Sequence, residues 1–148
     1  MKYLKISIGI FIALAASRFF PHPPNFTSLL ALSFYVPALL GVRYLPALVL
    51  SFLITDLFIG FHSLTLFTWG SVFIIGLLSR YFTNNIFFRI LGVFSGIFIF
   101  FIISNFGVWI IGSYGYTLHG LISCYINAIP FLGNTFLATI LYSIVIEL

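Results

Sequence analysis

Few side chains in this chain can do acid–base or metal chemistry. They include three histidines, His22, His62 and His119, and Asp56, which follows an uncharged apolar stretch. Imidazole and carboxylate groups together suit Zn, Ni or Co. The spacing of these four residues shows no local ligand pattern, however. We therefore assign no metal ligand and no cofactor, and keep metal binding as an alternative.

A second group of polar residues accompanies the histidines. Asn105 and Asn127 interrupt apolar stretches, and Trp109 lies one helical turn from Asn105 on the same face. A carboxylate near a membrane is costly and needs a partner, for which Arg18 is the natural candidate for Asp56. The candidate ligand-binding residues are Arg18, His22, Asn25, Asp56, His62, Asn105, Trp109, His119 and Asn127.

The composition places these residues in a membrane protein. Hydrophobic residues make up 62% of the 148 residues and charged residues only 5%, whereas soluble domains carry about 25% charged residues. The eight charges divide the chain into apolar stretches, and the basic residues are scattered singly instead of forming the patch that binds nucleic acid. We predict an all-α membrane protein with one domain, residues 1–148, and no nucleic-acid partner.

The apolar stretches predict about six transmembrane helices in a single bundle. A perpendicular helix needs roughly 20 residues to cross the hydrocarbon. The second, third and fourth stretches are shorter, so we expect them to use flanking residues or to be shielded by neighbouring helices. The predicted spans are residues 3–20, 27–42, 44–60, 64–79, 86–111 and 121–146.

The distribution of basic residues predicts the orientation of this bundle. With a cytoplasmic N-terminus, the inner side holds Lys2, Lys5, Arg43, Arg80 and Arg89, and the outer side holds only one basic residue. This bias follows the positive-inside rule and places both termini in the cytoplasm. All three histidines then lie at the outer ends of spans, which suggests a cavity open to the outside.

The first span has an alternative interpretation as a cleaved secretory signal. Lys2 and Lys5 precede an apolar run, and Ala13-Leu14-Ala15 resembles a small-residue cleavage site. However, Gly9, Ala13 and Ser17 recur every four residues, which is more typical of a packed helix face.

The sequence lacks the motifs of several enzyme classes. It contains no G-x-x-x-x-G-K-[ST] loop for nucleotide hydrolysis and no H-E-x-x-H, G-x-S-x-G or C-x-x-C motif. We therefore expect that the chain is not an enzyme. Two alternatives stay open: a structural or assembly subunit whose polar residues only connect helices, and a metal-dependent membrane enzyme using the three histidines.

Six segments of the chain carry a resemblance to known membrane proteins: residues 18–27, 56–62, 105–109, 124–125, 128–131 and 134–135. Together they resemble a family of small bacterial membrane proteins that is similar to the substrate-binding S-components of energy-coupling factor (ECF) vitamin transporters. Two departures are Ser28, where a proline is expected, and Ala138-Thr139, where a glycine and an acidic residue are expected.

The resemblance implies a function. S-components bind a vitamin or a metal from outside, in the bacterial plasma (inner) membrane. They then dock on a transmembrane coupling subunit with two ATPases and reorient to release the substrate inward. Small residues of the first helix form the docking surface, a role that Gly9, Ala13 and Ser17 would fill here.

The predicted topology can be tested by cysteine labelling of intact cells. Single cysteines replace His62 or Arg80 in a Cys124→Ala background. Because the charge distribution puts position 62 outside and position 80 inside, an impermeant thiol reagent should label only position 62. Labelling at position 80 with protection at position 62 would reverse the topology.

Overall fold

The computed structural model describes all 148 residues, which form six helices and no strand. This confirms the predicted all-α fold. Each helix lies within a few residues of a predicted span. The α-helices are α1 Lys2–Phe19, α2 Leu29–Tyr35, α3 Leu45–Ile59, α4 Thr65–Leu78, α5 Ile86–Ile110 and α6 Leu118–Glu147.

Helix ends follow local chemistry. The side chain of Asn85 accepts a hydrogen bond from the Phe88 amide at 3.0 Å and caps α5, and Thr117 caps α6 in the same way through the Gly120 amide. Helix α3 ends at Gly60, whose φ of 109° lies in the region that favours glycine. These residues fix where the connections between helices begin.

Four segments are long and apolar enough to cross a membrane. Two of the short predicted spans reach this length by adding a 3₁₀ turn, Val42–Tyr44 before α3 and Ser79–Phe82 after α4. Helix α1 has 18 residues but carries three basic ones. The four segments are Val42–Ile59, Thr65–Phe82, Ile86–Ile110 and Leu118–Glu147.

Helix α2 has only seven residues, and the other helices surround it. All seven of its residues are buried, and a π-helical segment, Val36–Leu40, extends it. Phe34 packs against α5 at Gly92, where a Cβ would collide with the Phe34 ring. A helix that is apolar all round belongs in such an interior. The expectation of shielding by neighbours is correct for α2.

The helices run alternately up and down, so that three connections meet at one end. Residues from the connections 20–28, 60–64 and 111–117 line a common cavity there, and we call this the cavity end. At the opposite end, the Tyr3 hydroxyl donates to the Arg43 carbonyl at 3.2 Å. Arg89 forms a bidentate ion pair with Glu147 at 2.7 and 2.8 Å, also at that end.

Candidate functional site

A buried ion pair joins α1 to α3 at the cavity end. Arg18 Nη2 donates to Asp56 Oδ1 at 2.6 Å, and the Asp56 side chain is only 1% exposed. Arg18 Nη1 donates to Thr55 Oγ1 and to the Phe52 carbonyl, and the guanidinium lies 4.6 Å from the centre of the Phe52 ring. The predicted pairing of Arg18 with Asp56 is therefore present.

The second oxygen of Asp56 is satisfied by a residue of α4. Trp69 Nε1 donates to Asp56 Oδ2 at 2.8 Å. Both carboxylate oxygens thus accept a hydrogen bond from the protein, and the negative charge is matched by Arg18. A buried ion pair is tolerated when its remaining lone pairs are satisfied in this way. Asp56 therefore acts within the bundle and is not left facing a cavity.

The larger of two adjoining cavities at this end has a volume of about 360 Å³. We call it the amide cavity because three asparagines line it: Asn25, Asn105 and Asn127. Its volume falls within the range of small-molecule sites. The other residues that line it are Pro24, His62, Leu64, Thr68, Phe100, Phe101, Ser104, Val108, Tyr114, Cys124, Ala128, Phe131, Leu132 and Thr135.

The second cavity, of about 270 Å³, lies beside the ion pair, and we call it the arginine cavity. Arg18, His22 and the first residues of α2, Leu29 and Leu30, line it. The two cavities are adjacent because they share five residues in their walls. The shared residues are Asn25, His62, Thr68, Phe100 and Thr135.

The two histidines of the arginine cavity have different hydrogen bonds. His22 Nδ1 lies 2.8 Å from the Pro23 carbonyl, an acceptor, so it carries the proton and leaves Nε2 free. His62 Nδ1 accepts from the Leu64 amide at 3.2 Å, which places the proton of the neutral ring on Nε2. One ring therefore offers an acceptor and the other a donor.

Six of the nine candidate ligand-binding residues line these cavities, and three do not. Asp56 lines neither cavity, because its carboxylate bonds Arg18 and Trp69. His119 is the second residue of α6 and is exposed. Trp109 packs against Phe106 and Tyr116, and its Nε1 is buried without a partner. No group of three His, Cys, Asp or Glu side chains forms a metal-binding set.

The three small residues of α1 do not share one environment. Gly9 and Ala13 are exposed, and a Cβ on Gly9 would meet no atom within 4 Å. Ser17 is half-buried: its Oγ lies 2.7 Å from Ser28 Oγ and accepts from the Ser28 amide at 3.1 Å. A proline at position 28 could not donate this bond. The departure at Ser28 thus has a structural role.

Sequence reasoning missed two parts of this arrangement. The first is Trp69, which bonds Asp56. Helices α3 and α4 form a hairpin, and Asp56 and Trp69 each lie about one turn from its connection, at similar depth. This placement could have identified Trp69 as a partner of Asp56. The ion pair between Arg89 and Glu147 was missed because the two residues are 58 positions apart and only the packing of α5 on α6 brings them together.

Comparison with known proteins gives a family and no function. A family model described as a family of unknown function, DUF6580, matches residues 2–147. The chain belongs to DUF6580. No curated protein and no solved structure matches this DUF6580 member. Its function must therefore be argued from the site itself.

Removing Asp56 tests the role of the ion pair. Asp56→Ala leaves Arg18, only 12% exposed, without its counter-charge, and we expect a loss of about 3–5 kcal/mol in the free energy of unfolding. The double variant Arg18→Met, Asp56→Leu removes both charges and should recover much of this loss. Denaturant unfolding in detergent measures both. Unchanged stability in Asp56→Ala would contradict a structural role.

Proposed function

We propose that this protein is the substrate-binding membrane subunit of an ECF-type uptake transporter in the bacterial plasma membrane. It binds a small vitamin-like ligand or micronutrient from the outside, in the amide and arginine cavities. The observation that carries the proposal is the convergence of Arg18, His22, Asn25 and His62 with two intramembrane asparagines on adjoining cavities at one end of the bundle.

The charge distribution supports an orientation with the cavity end outside. In that orientation all six helices cross the membrane. The two lysines of α1 lie at its inner end, where long side chains reach the aqueous interface. The third charge of α1, Arg18, is matched by Asp56. Helix α2 is covered by protein, so its short length does not expose backbone ends to lipid.

The exposed small residues of α1 support docking on a second membrane protein. Gly9 and Ala13 leave the α1 backbone open to close approach. Ala13 also borders a cleft of about 370 Å³ that is lined by α1, the segment after it and Tyr142 of α6. The coupling subunit would pack here, and separate ATPase subunits would supply energy because this chain has no nucleotide-binding loop.

Two rival functions make different demands on the same residues. A purely structural subunit needs its polar groups paired within the bundle, as Arg18, Asp56 and Trp69 are. Asn127 does not fit this pattern, because it lines the amide cavity and its side chain bonds no protein group. A histidine metal centre needs converging imidazoles, whereas His119 lies outside both cavities.

Substitution of the two intramembrane asparagines tests ligand binding. Asn105→Ala and Asn127→Ala should each weaken binding of the molecule that co-purifies with the protein by about 1–3 kcal/mol, since each leaves a ligand group unpaired. Mass spectrometry of the purified protein identifies the molecule, and calorimetry measures its affinity. Thermal stability of the empty protein should change less, because Asn127 has no protein partner.

A control variant and a contrary result complete this test. Asn84→Ala changes an exposed asparagine at the opposite end and should leave affinity unchanged. Normal ligand binding in both cavity variants would contradict the proposal. A collapse of stability with no change in affinity would favour the structural subunit.

Added bulk on α1 tests the docking surface. Ala13→Leu should abolish co-purification with the coupling subunit and ATPases, because a larger side chain keeps the helix backbones apart. Ligand affinity should stay unchanged. Ile12→Phe adds bulk at the neighbouring exposed position, which points about 100° away around α1, and should not affect assembly. Normal assembly of Ala13→Leu would mean that the partner docks elsewhere.

A further inference from the structure

The amide cavity carries no free charge. None of the 17 residues that line it is Lys, Arg, Asp or Glu. The adjoining arginine cavity contains one charged residue, Arg18, and its charge is matched by Asp56 at 2.6 Å. An ionised ligand group that gives up hydration on binding here would gain no counter-charge from a Lys, Arg, Asp or Glu side chain, which is unfavourable.

His62 lines both cavities. Its Nδ1 accepts a hydrogen bond from the Leu64 amide at 3.2 Å. In its neutral form the ring therefore donates through Nε2. His22 lies outside the amide cavity; it lines the arginine cavity and the cleft beside α1.

The cavity offers hydrogen-bond donors and acceptors side by side. The amides of Asn25 and Asn127 bond no protein group, so each has both donors and an acceptor available. Asn105 donates to its own helix at the Phe101 carbonyl, 2.8 Å away, and keeps its amide oxygen free. The hydroxyls of Ser104 and Thr135 also donate to their own helices and leave lone pairs for a ligand.

Aromatic rings form much of the remaining wall. Phe100, Phe101, Tyr114 and Phe131 all border the cavity. Aromatic side chains pack well against flat rings. The cavity thus combines apolar ring surfaces with uncharged groups that donate and accept.

We infer that the ligand is an uncharged, flat heterocycle that carries an amide or lactam group, with adjacent N–H and C=O. The inference rests on the proposed function and narrows it, because it disfavours carboxylates, phosphates, organic cations and bare metal ions. Asparagine side chains pair with such a group by one donated and one accepted hydrogen bond. The aromatic side chains hold the ring.

Matched probes of different charge test this inference on the full-length protein in detergent. The first set is nicotinamide, nicotinate and 1-methylnicotinamide, which share one ring and are neutral, anionic and cationic. The second set is uracil and its carboxylate, orotate, and the third is Ni²⁺ and Co²⁺. Isothermal titration calorimetry should show nicotinamide or uracil binding at least about tenfold more tightly than its charged counterpart.

A charge placed in the cavity provides the matching protein variant. Asn127→Asp should weaken binding of the neutral probe at least about tenfold, because it replaces the amide donors by a carboxylate. Asn84→Asp introduces the same charge at an exposed site at the opposite end and should leave the affinity unchanged. Equal effects of the two variants would overturn the inference.

The outcomes separate this inference from the proposed function. Tighter binding of nicotinate, orotate, 1-methylnicotinamide or a metal ion overturns the inference and leaves ligand binding intact. If none of the probes binds, the molecule that co-purifies with the protein tests the inference. A ring amide that is neutral at pH 7 supports the inference, and an ion overturns it. If no probe binds and no molecule co-purifies, the result contradicts the proposed function itself.

Discussion

The buried pair of Arg18 and Asp56 constrains the cavity end of the bundle. Removing two charges from water costs several kcal/mol for each ion, and only close geometry offsets that cost. Here the geometry requires three helices: α1 provides the cation, α3 the carboxylate and α4 the indole of Trp69. The relative positions of these helices, and hence one wall of the arginine cavity, follow from satisfying this pair.

The burial of α2 shapes the same region from the inside. Because α2 is short and begins only at Leu29, the chain before it forms a connection at the cavity end instead of another helical turn. Leu29 and Leu30 line the arginine cavity. At its other end, Pro37 lies in a π-helical segment, where the missing amide donor is accommodated by a wider turn.

The sequence predicted the helices well because charge and apolar length are properties of local segments. Helix α5 was expected over residues 86–111 and spans Ile86–Ile110. The pairing of Arg18 with Asp56 was also predictable, since an isolated charge in this environment needs a partner. These predictions depend on how deep each residue lies in the membrane, and they require little knowledge of how each helix is rotated about its axis.

Helix rotation explains the residues that sequence reasoning placed less well. Trp109 shares a helix face with Asn105, yet Asn105 lines the amide cavity and Trp109 lines neither cavity. Trp69, which does bond Asp56, has no sequence feature that sets it apart from Trp109 except its place in the hairpin. Which side of a helix meets a cavity depends on packing between distant segments, and this packing also forms the pair of Arg89 and Glu147.

The polar residues at the cavity end divide into two classes by how their hydrogen bonds are used. Arg18, Asp56 and Trp69 bond one another, so they stabilise the bundle whether or not a ligand is present. Asn25 and Asn127 make no side-chain bond within the protein and contribute little to packing. Asn25 also has a backbone role, because its φ of 62° lies in the left-handed region that asparagine tolerates better than apolar residues. Asn127 lies inside α6 and has no such role, so an uncharged polar group at position 127 is best explained by a partner outside the chain.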